Sequence, residues 1–320
     1  MKNVLLFPGQ GSQIVSMGYD FAKEYLEARE VFEEVDEVLH YNLSNLIFHG
    51  SEQELTKTQH VQPALMAVSI AILRTIQKKL GVSDDVRDIA NFVAGHSLGE
   101  YTALCAAGSL SLSEAARLLH IRGIAMSKAI PENTGGMMAV ITNDNTLLHN
   151  IINELDAKIY VANDNGAGQI VLSALHKDLD RFVECASKYG IKKCIRLKAS
   201  APFHSGYMLG VKEIMKEAFK GVKLYTPSVP IISNVSAKPE QDPGTLVPLL
   251  CEQVIAPVRW RESVSYLHTQ EVTGYIEIGS SKVLTKLNSR MLNTGSFLNV
   301  GKLSDIANVL QFFEKCLEQA

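Results

Sequence analysis

The stretch Asn91-Phe-Val-Ala-Gly95-His-Ser97-Leu-Gly99 decides the fold. Its apolar run ends in glycine and predicts a buried strand, and the small residues that follow predict a helix ending at Gly108. The turn between them is so sharp that a Cβ on either side would clash, which explains the two glycines. Such a turn holds a serine hydroxyl above the sheet edge and directs the next backbone N–H at a developing oxyanion. The pattern therefore predicts a nucleophilic serine at Ser97.

Apolar patterns elsewhere place this turn in an α/β fold. Val4–Phe7 is a continuous apolar run stopped by Pro-Gly, as expected of a buried strand. Ser111 and Glu114 form a capping box that opens a helix reaching about Ala129. Two further helices and two further strands of a mainly parallel sheet are predicted at 19–39, 61–80, 231–233 and 275–278.

A polar, Gly-rich break at Pro131–Gly136 separates a second unit from this core. The segments after it predict the order βαββαβ, which is that of a ferredoxin-like subdomain. Met137 and Met138 open its first strand and are expected in its core. The predicted elements are 137–142, 145–155, 158–162, 169–173, 176–189 and 191–198. We expect a discontinuous core of residues 1–131 and 199–320, with the subdomain inserted at 132–198.

Composition excludes several classes of function. The 320 residues carry a net charge of −3, which gives no general affinity for nucleic acid or an anionic membrane. Five cysteines without a Cys-x-x-Cys pair argue against disulfides and structural zinc. No His/Cys/Asp cluster has metal-ligand spacing, so we expect no metal site. The apolar run near the start is too short for a signal peptide, and the sequence predicts a soluble, cytoplasmic protein.

Six motifs in this order carry a family resemblance. They are Phe7-Pro-Gly-Gln10-Gly-Ser-Gln13, Gln62-Pro-Ala64, Gly95-His-Ser-Leu-Gly-Glu-Tyr101, Ile121-Arg122-Gly123, Pro202-Phe203-His204 and Gln253…Pro257-Val-Arg-Trp260. Together they resemble the malonyl-CoA:acyl-carrier-protein transacylases, which supply malonyl units to type II fatty-acid synthesis. The resemblance spans residue 4 to about 292 and implies an α/β-hydrolase-like core with an inserted ferredoxin-like subdomain.

The resemblance also implies site residues. Ser97 matches the nucleophile that holds the malonyl group as an ester, and His204 matches its general base. The backbone N–H groups of Gln10 and Leu98 would form the oxyanion hole. Arg122 matches the residue that grips the malonyl carboxylate. Three more positions match residues of the site: Gln253 would orient the histidine through its main-chain carbonyl, and Gln62 and Asn163 would line the pocket.

Five side chains can also be weighed from the sequence itself. Arg122 lies among apolar residues of its helix, so it needs an anionic partner, and its planar fork suits a carboxylate. Arg117, nearer the helix start, is expected at the surface. His204 follows Pro202 in a loop, and His268 is the next-best candidate base. Phe203 is bulky and adjacent to the base, which predicts poor acceptance of a 2-methyl branch.

The predicted reaction is ping-pong transfer of malonyl from malonyl-CoA to the phosphopantetheine thiol of acyl carrier protein, with no permanently bound cofactor. A serine esterase or thioesterase on the same core is the alternative. It is disfavoured because a His-Gly-Gly loop is absent, and Asp164 and Asp178, the acids between Ser97 and His204 that could be offered, fall in the insertion. A carrier-protein adaptor with a dead site is a third possibility, and intact Ser97 and His204 argue against it.

Two basic stripes are candidate docking surfaces for the acidic, transiently bound carrier protein. One lies in the segment 188–198, where Arg196 and Lys198 would share a face of a strand. The other is formed by Lys282, Lys286 and Arg290, spaced i, i+4, i+8 along a helix. We predict that at least one of these stripes receives the carrier protein.

Overall fold

The computed structural model describes residues 1–318 and contains two sheets. The larger sheet has six strands in the order β10-β9-β1-β2-β7-β8, and all neighbours are parallel except the β7–β8 pair. Its strands are β1 (Lys2–Phe7), β2 (Phe92–Gly95), β7 (Ile231–Ile232), β8 (Pro239–Glu240), β9 (Val272–Ile278) and β10 (Ser296–Val300). The mainly parallel sheet predicted from the sequence is therefore present.

Helices cover this sheet. They are α1 (Tyr19–Glu24), α2 (Leu26–Leu39), α3 (Leu43–His49), α4 (Glu52–Leu55), α5 (Thr58–Leu80), α6 (Leu98–Ala106), α7 (Leu112–Ser127), α10 (Leu209–Phe219), α11 (Pro243–Gln253), α12 (Trp260–Thr269), α13 (Val283–Met291) and α14 (Leu303–Leu317), with short 3₁₀ turns at Val86–Asp88 and Gly206–Met208. The predicted capping box of α7 is formed, since Ser111 Oγ accepts from the backbone of Glu114. In the part of the chain described, no helix is both long and apolar enough to cross a membrane.

The smaller sheet is antiparallel and has its own core. Its elements are β3 (Gly135–Ile141), α8 (Asn145–Glu154), β4 (Tyr160–Gly166), β5 (Gln169–Leu175), α9 (His176–Lys188) and β6 (Cys194–Arg196), and the strand order is β4-β5-β3-β6. The sequence order of strands and helices agrees with the prediction. Leu148, Leu172 and Phe182 are fully buried between the two helices and this sheet.

The N–H of His96, directly after β2, donates to the carbonyl of Phe7 at the end of β1 (3.0 Å). Because β1 and β2 are parallel, their carboxyl ends meet at one edge of the sheet, where ligands of open α/β sheets bind. This pairing brings the loop that contains Gln10 beside the turn that contains Ser97.

Glycine is required in this turn by close backbone approach. A Cβ on Gly95 would lie 1.9 Å from the backbone of Gly99, and one on Gly99 would lie 2.2 Å from the carbonyl oxygen of Phe7. The clash that the sequence predicted is therefore present at both positions, and both contacts are with backbone, which cannot move aside cheaply.

Several boundaries differ from the sequence prediction. The segment 19–39 forms two helices, because Tyr25 adopts an extended conformation between them. Of the predicted strand 191–198, only Cys194–Arg196 forms β6, so Lys198 lies beyond the strand, although both Arg196 and Lys198 line one cavity. Lys282 is the N-cap of α13, so the helix itself carries only Lys286 and Arg290 of that stripe. The sequence analysis did not predict β10 or α14.

The turn glycines give a stability prediction. Gly99→Ala should lower the free energy of unfolding by about 1–3 kcal/mol or more, because its Cβ would overlap the Phe7 carbonyl. Gly210→Ala is the matched control, since a Cβ there meets nothing within 4 Å and alanine favours the helix. Urea unfolding midpoints compare the two; equal midpoints would contradict the steric argument.

Candidate active site

Ser97 occupies a strained backbone conformation between β2 and α6. Its φ of 56° and ψ of −113° are rarely adopted by residues with a side chain. The side chain of Asn234 holds both sides of the turn: its Oδ1 accepts from the N–H of Ser97 (2.8 Å), and its Nδ2 donates to the carbonyl of Gly95 (2.7 Å). The N–H of Ser97 is thus committed, and the N–H of Leu98, at the first turn of α6, is the next donor along the chain.

His204 contacts Ser97 directly. Its Nε2 lies 2.8 Å from the Ser97 Oγ, and its Nδ1 lies 2.8 Å from the main-chain oxygen of Gln253. A carbonyl oxygen only accepts, so Nδ1 carries the proton and the neutral imidazole accepts at Nε2. The Ser97 hydroxyl therefore donates to His204, and no carboxylate within residues 1–318 hydrogen-bonds with this imidazole. The pair is a dyad oriented by a backbone carbonyl.

Burial controls the charge of the histidine. His204 is 3% exposed, and burial together with the nearby Arg122 guanidinium lowers the pKa of His204 to about 3. A histidine with a lowered pKa stays neutral at pH values where an ordinary histidine is protonated. His204 is thus a proton acceptor at neutral pH, as a general base must be.

Arg122 projects from α7 into the same site and is 1% exposed. Its Nη1 donates to Oε1 of Gln62 (2.7 Å), and its Nη2 donates to Oε1 of Gln253 (2.9 Å) and to Oγ of Ser97 (3.2 Å). Its Nε makes no hydrogen bond within the described residues, and neither does Oδ1 of Asn163. The guanidinium forms no salt bridge with a carboxylate there, although the sequence analysis expected an anionic partner.

These side chains open into a cavity of about 470 Å³. Predicted site residues that line it are Gln10, Gln62, Ser97, Leu98, Arg122, Asn163, Arg196, Lys198, Phe203 and His204. Gln253 lies behind this lining and contacts it through its amide and its main-chain oxygen. Met137 also lines the cavity, so only Met138 lies in the core of the smaller sheet as expected.

Other predicted residues lie elsewhere. Lys282, Lys286 and Arg290 do not line the Ser97 cavity, and Arg290 lines a separate cleft beside Arg261. His268 is exposed at the end of α12, and Arg117 is exposed on α7. Across the described residues, no group of three metal-ligating side chains is close enough to hold an ion.

Two buried residues that contact Ser97 or Gln253 were not predicted from the sequence. Asn234 follows β7 and fixes the turn at Ser97, and Glu100 in α6 accepts from Gln253 Nε2 (2.6 Å). Glu100 lies within the motif Gly95–Tyr101. The small residues of its helix form no distinct apolar face, so the sequence did not indicate that the Glu100 side chain is buried. Nothing in the local sequence marks Asn234, because its partners lie 137 and 139 positions away.

Known proteins share this architecture. A model of the acyl transferase domain matches residues 4–309. The malonyl CoA-acyl carrier protein transacylase of Bacillus subtilis (strain 168) is 40% identical over 297 residues, which cover 91% of this chain and 92% of the relative. The crystal structure of acyl-carrier-protein-S-malonyltransferase from Bartonella henselae superposes with a TM-score of 0.94 at 44% identity, covering 98% and 100% of the two chains. A malonyl-transacylase solved in complex with a type II PKS acyl-carrier protein has a TM-score of 0.91 at 34% identity, with 98% and 100% covered.

Fold and site together define an α/β protein whose sheet edge holds a hydrogen-bonded serine–histidine pair beside a buried arginine. With the family match over most of its length, the chain belongs to the acyl transferase domain family. It is an acyltransferase, and the relatives named above are malonyltransferases.

The neutral histidine gives a pH prediction. Phosphonylation of Ser97 by a fluorophosphonate should change by less than about twofold between pH 7 and pH 5, because His204 is not protonated above its lowered pKa. For a histidine of ordinary pKa, the neutral fraction would fall about 25-fold over this range. Rates are measured by mass spectrometry while circular dichroism verifies folding at each pH. A decline with a midpoint near pH 6.5 would contradict the assignment.

Proposed function

We propose that this enzyme transfers the malonyl group of malonyl-CoA to the phosphopantetheine thiol of acyl carrier protein, through a malonyl ester of Ser97, and so supplies fatty-acid synthesis. One observation carries the proposal: in a single cavity, the Ser97 Oγ lies 2.8 Å from the Nε2 of His204 and 3.2 Å from the guanidinium of Arg122. A nucleophile and its base explain acyl transfer, and the buried cation beside them explains why the acyl group is a malonyl. The names of the relatives support the same reaction.

In the first half-reaction, His204 Nε2 accepts the hydroxyl proton while Ser97 Oγ attacks the thioester carbonyl carbon. The backbone N–H groups of Leu98 and Gln10 stabilise the oxyanion, and each such donor contributes about 10²–10³ in rate. Collapse of the intermediate breaks the carbon–sulfur bond, and protonated His204 returns its proton to the departing coenzyme A thiolate. The acyl group remains as an ester on Ser97.

The second half-reaction repeats these steps with a different thiol. His204 accepts the proton of the phosphopantetheine thiol, whose sulfur attacks the ester carbonyl, and the Ser97 oxygen leaves and regains a proton. No permanently bound cofactor takes part, since the acceptor arm belongs to the carrier protein. The imidazole held at Nδ1 by the Gln253 carbonyl presents the same nitrogen in both halves.

Arg122 is proposed to bind the terminal carboxylate of the acyl group. Its guanidinium is fixed by Gln62 and Gln253, so it is oriented before substrate arrives. Asn163 and Phe203 line the same cavity, and the Phe203 ring beside the base would obstruct a 2-methyl branch. The site therefore suits an unbranched acyl group with a free carboxylate.

The organisation of the chain fits this assignment. We propose that residues 1–131 and 199–320 form an α/β-hydrolase-like core and that 132–198 form a ferredoxin-like subdomain, as the strand order β4-β5-β3-β6 supports. The subdomain contributes Asn163 and Met137 to the cavity. We propose that the enzyme acts in the cytoplasm, with carrier protein as its transient partner and without nucleic acid or a membrane.

Carrier protein is proposed to dock on the basic residues at the cavity. Arg196 and Lys198 line the cavity, and the Lys198 side chain is 87% exposed, with its amine 3.2 Å from Glu52. Such an exposed pair contributes little to stability, so Lys198 is available to an acidic partner. The second stripe, Lys282, Lys286 and Arg290, lies outside the cavity and is the alternative docking surface.

Transfer and hydrolysis are distinguished by the acceptor. The malonyl–enzyme, isolated after reaction with radiolabelled malonyl-CoA, should lose its label rapidly only when holo carrier protein or a pantetheine thiol is added. Ser109→Ala, a buried serine outside the cavity, is the matched control and should behave as wild type. Equal release in buffer alone would instead identify an esterase, and failure to load any label would indicate a dead site.

Arg122 determines the preference for a carboxylated acyl group. Arg122→Ala should slow loading of malonyl by at least about thirtyfold relative to acetyl, because losing a buried charged partner costs about 2–5 kcal/mol. Arg117→Ala, an exposed arginine of the same helix, is the control and should keep the wild-type preference. Loading rates from malonyl-CoA and acetyl-CoA measure the ratio, and an unchanged ratio in Arg122→Ala would remove Arg122 from substrate binding.

Docking is tested by charge reversal. Lys198→Glu should raise KM for carrier protein several-fold and weaken its dependence on salt, because an attractive surface charge becomes repulsive. Lys286→Glu tests the second stripe in the same assay, and the exposed Lys238, after β7, provides the control Lys238→Glu. Wild-type KM and salt dependence in both stripe variants would refute the docking proposal.

A further inference from the structure

Glu100 is a buried carboxylate that the proposed mechanism does not use. It lies in the first turn of α6, three residues after Ser97, and is 1% exposed. No lysine or arginine among the described residues forms a salt bridge with it. A carboxylate is costly to bury unless its oxygens are hydrogen-bonded, so its contacts indicate what holds it there.

The contacts of Glu100 are with the supports of the active site. Its two oxygens each accept from the backbone N–H of Asn234 at 3.3 Å, and Oε2 accepts from the Nε2 of Gln253 at 2.6 Å. Burial raises the pKa of Glu100 to about 7, while the hydrogen bonds and the Arg122 charge oppose that rise. The ionised form, which only accepts, fits the donors that surround it.

Gln253 connects this carboxylate to the reacting groups. Its Nε2 also donates to the main-chain oxygen of Ser97 (2.9 Å), and its Oε1 accepts from Nη2 of Arg122 (2.9 Å). Its main-chain oxygen separately accepts from His204 Nδ1. A side-chain amide can turn over and exchange its oxygen for its NH₂, and the direction it adopts is set by its neighbours.

Two acceptors set that choice, the carboxylate of Glu100 and the main-chain oxygen of Ser97. A carboxylate oxygen requires a donor, so the NH₂ of Gln253 faces Glu100 and its oxygen faces the guanidinium. In the reverse orientation, NH₂ would face the N–H groups of Arg122, and two donors would oppose each other in a buried site. Arg122 would then lose one of the two amide contacts that direct it.

We propose that Glu100 is a positioning residue for malonyl transfer, which acts through the Gln253 amide to hold the Arg122 guanidinium in the direction that receives the acyl carboxylate. This inference rests on the proposed function of Arg122. It adds a specificity determinant that does not touch the substrate. The chain of contacts is Glu100 to Gln253 to Arg122, and no hydrogen bond joins the first to the last directly.

Glu100→Gln is the decisive variant because it changes one oxygen to NH₂ at nearly constant volume. Because both oxygens of Glu100 accept from the N–H of Asn234 and Oε2 also accepts from Gln253, the new NH₂ opposes a donor in either orientation, and the negative charge that holds the NH₂ of Gln253 is lost in both. The ratio of malonyl to acetyl loading should fall at least tenfold, and most of the change should be a raised KM for malonyl-CoA. Acetyl loading should change much less, since Ser97 and His204 keep their own contacts.

Glu277→Gln is the matched control. Glu277, in β9, is another fully buried carboxylate. It accepts hydrogen bonds from Thr285 and not from the active site. Its variant should keep the wild-type ratio even if it lowers the melting temperature. Wild-type loading is measured first, because a wild-type protein that loads no malonyl refutes the proposed function and not the role of Glu100.

A wild-type ratio in folded Glu100→Gln would overturn the proposal. Equal losses of malonyl and acetyl loading would also overturn it, since they would indicate a structural role only. If Glu100→Gln does not fold, Gln253→Met tests the link through which Glu100 would act, because its main-chain oxygen still holds His204 while the amide is removed. A tenfold loss of malonyl preference there supports the proposal, and an unchanged ratio contradicts it.

Discussion

The backbone of Ser97 at φ 56° is the constraint on which the rest of the site depends. This conformation costs of order 1–3 kcal/mol, and it persists because the surrounding structure holds it. Glycines at 95 and 99 let the turn approach the end of β1, and the Asn234 side chain bonds to the turn on both sides of His96. This strained conformation places the Oγ of Ser97 within reach of His204, at the carboxyl edge of the buried parallel strands.

Arg122 and His204 are neighbours in this cavity, and the charge of the first affects the protonation of the second. Arg122 is a permanent cation, and its field together with burial keeps His204 neutral, so the charge that receives a substrate carboxylate also maintains the base. Burial strengthens both effects, because few mobile water dipoles screen them. The same buried environment favours donors and acceptors that are paired, which explains the Gln62 and Gln253 amides on the guanidinium, while Arg122 Nε and Asn163 Oδ1 have no partner among the described residues.

Much of this organisation could be predicted from sequence, and the remainder has identifiable causes. Ser97 and the strand–turn–helix were predicted because a local steric requirement leaves a local pattern of glycines. The motifs that contain His204 and Arg122 were recognised by resemblance, and their side chains meet in one cavity. Asn234 and the role of Glu100 were missed because their contacts join distant parts of the chain. The two edge strands of the large sheet, β8 and β10, were not predicted, which shows that such strands are defined by their partners more than by their own residues.

The most direct test of the account is the location of the acyl group. The protein is mixed with malonyl-CoA, quenched in acid and digested, and the modified peptide is identified by mass spectrometry. If Ser97 is the nucleophile, the peptide that contains it carries a malonyl ester. The ester is absent in Ser97→Ala, and it is lost from the wild type when holo carrier protein is added before the quench. A malonyl adduct at another residue, or one that persists in Ser97→Ala, would contradict it.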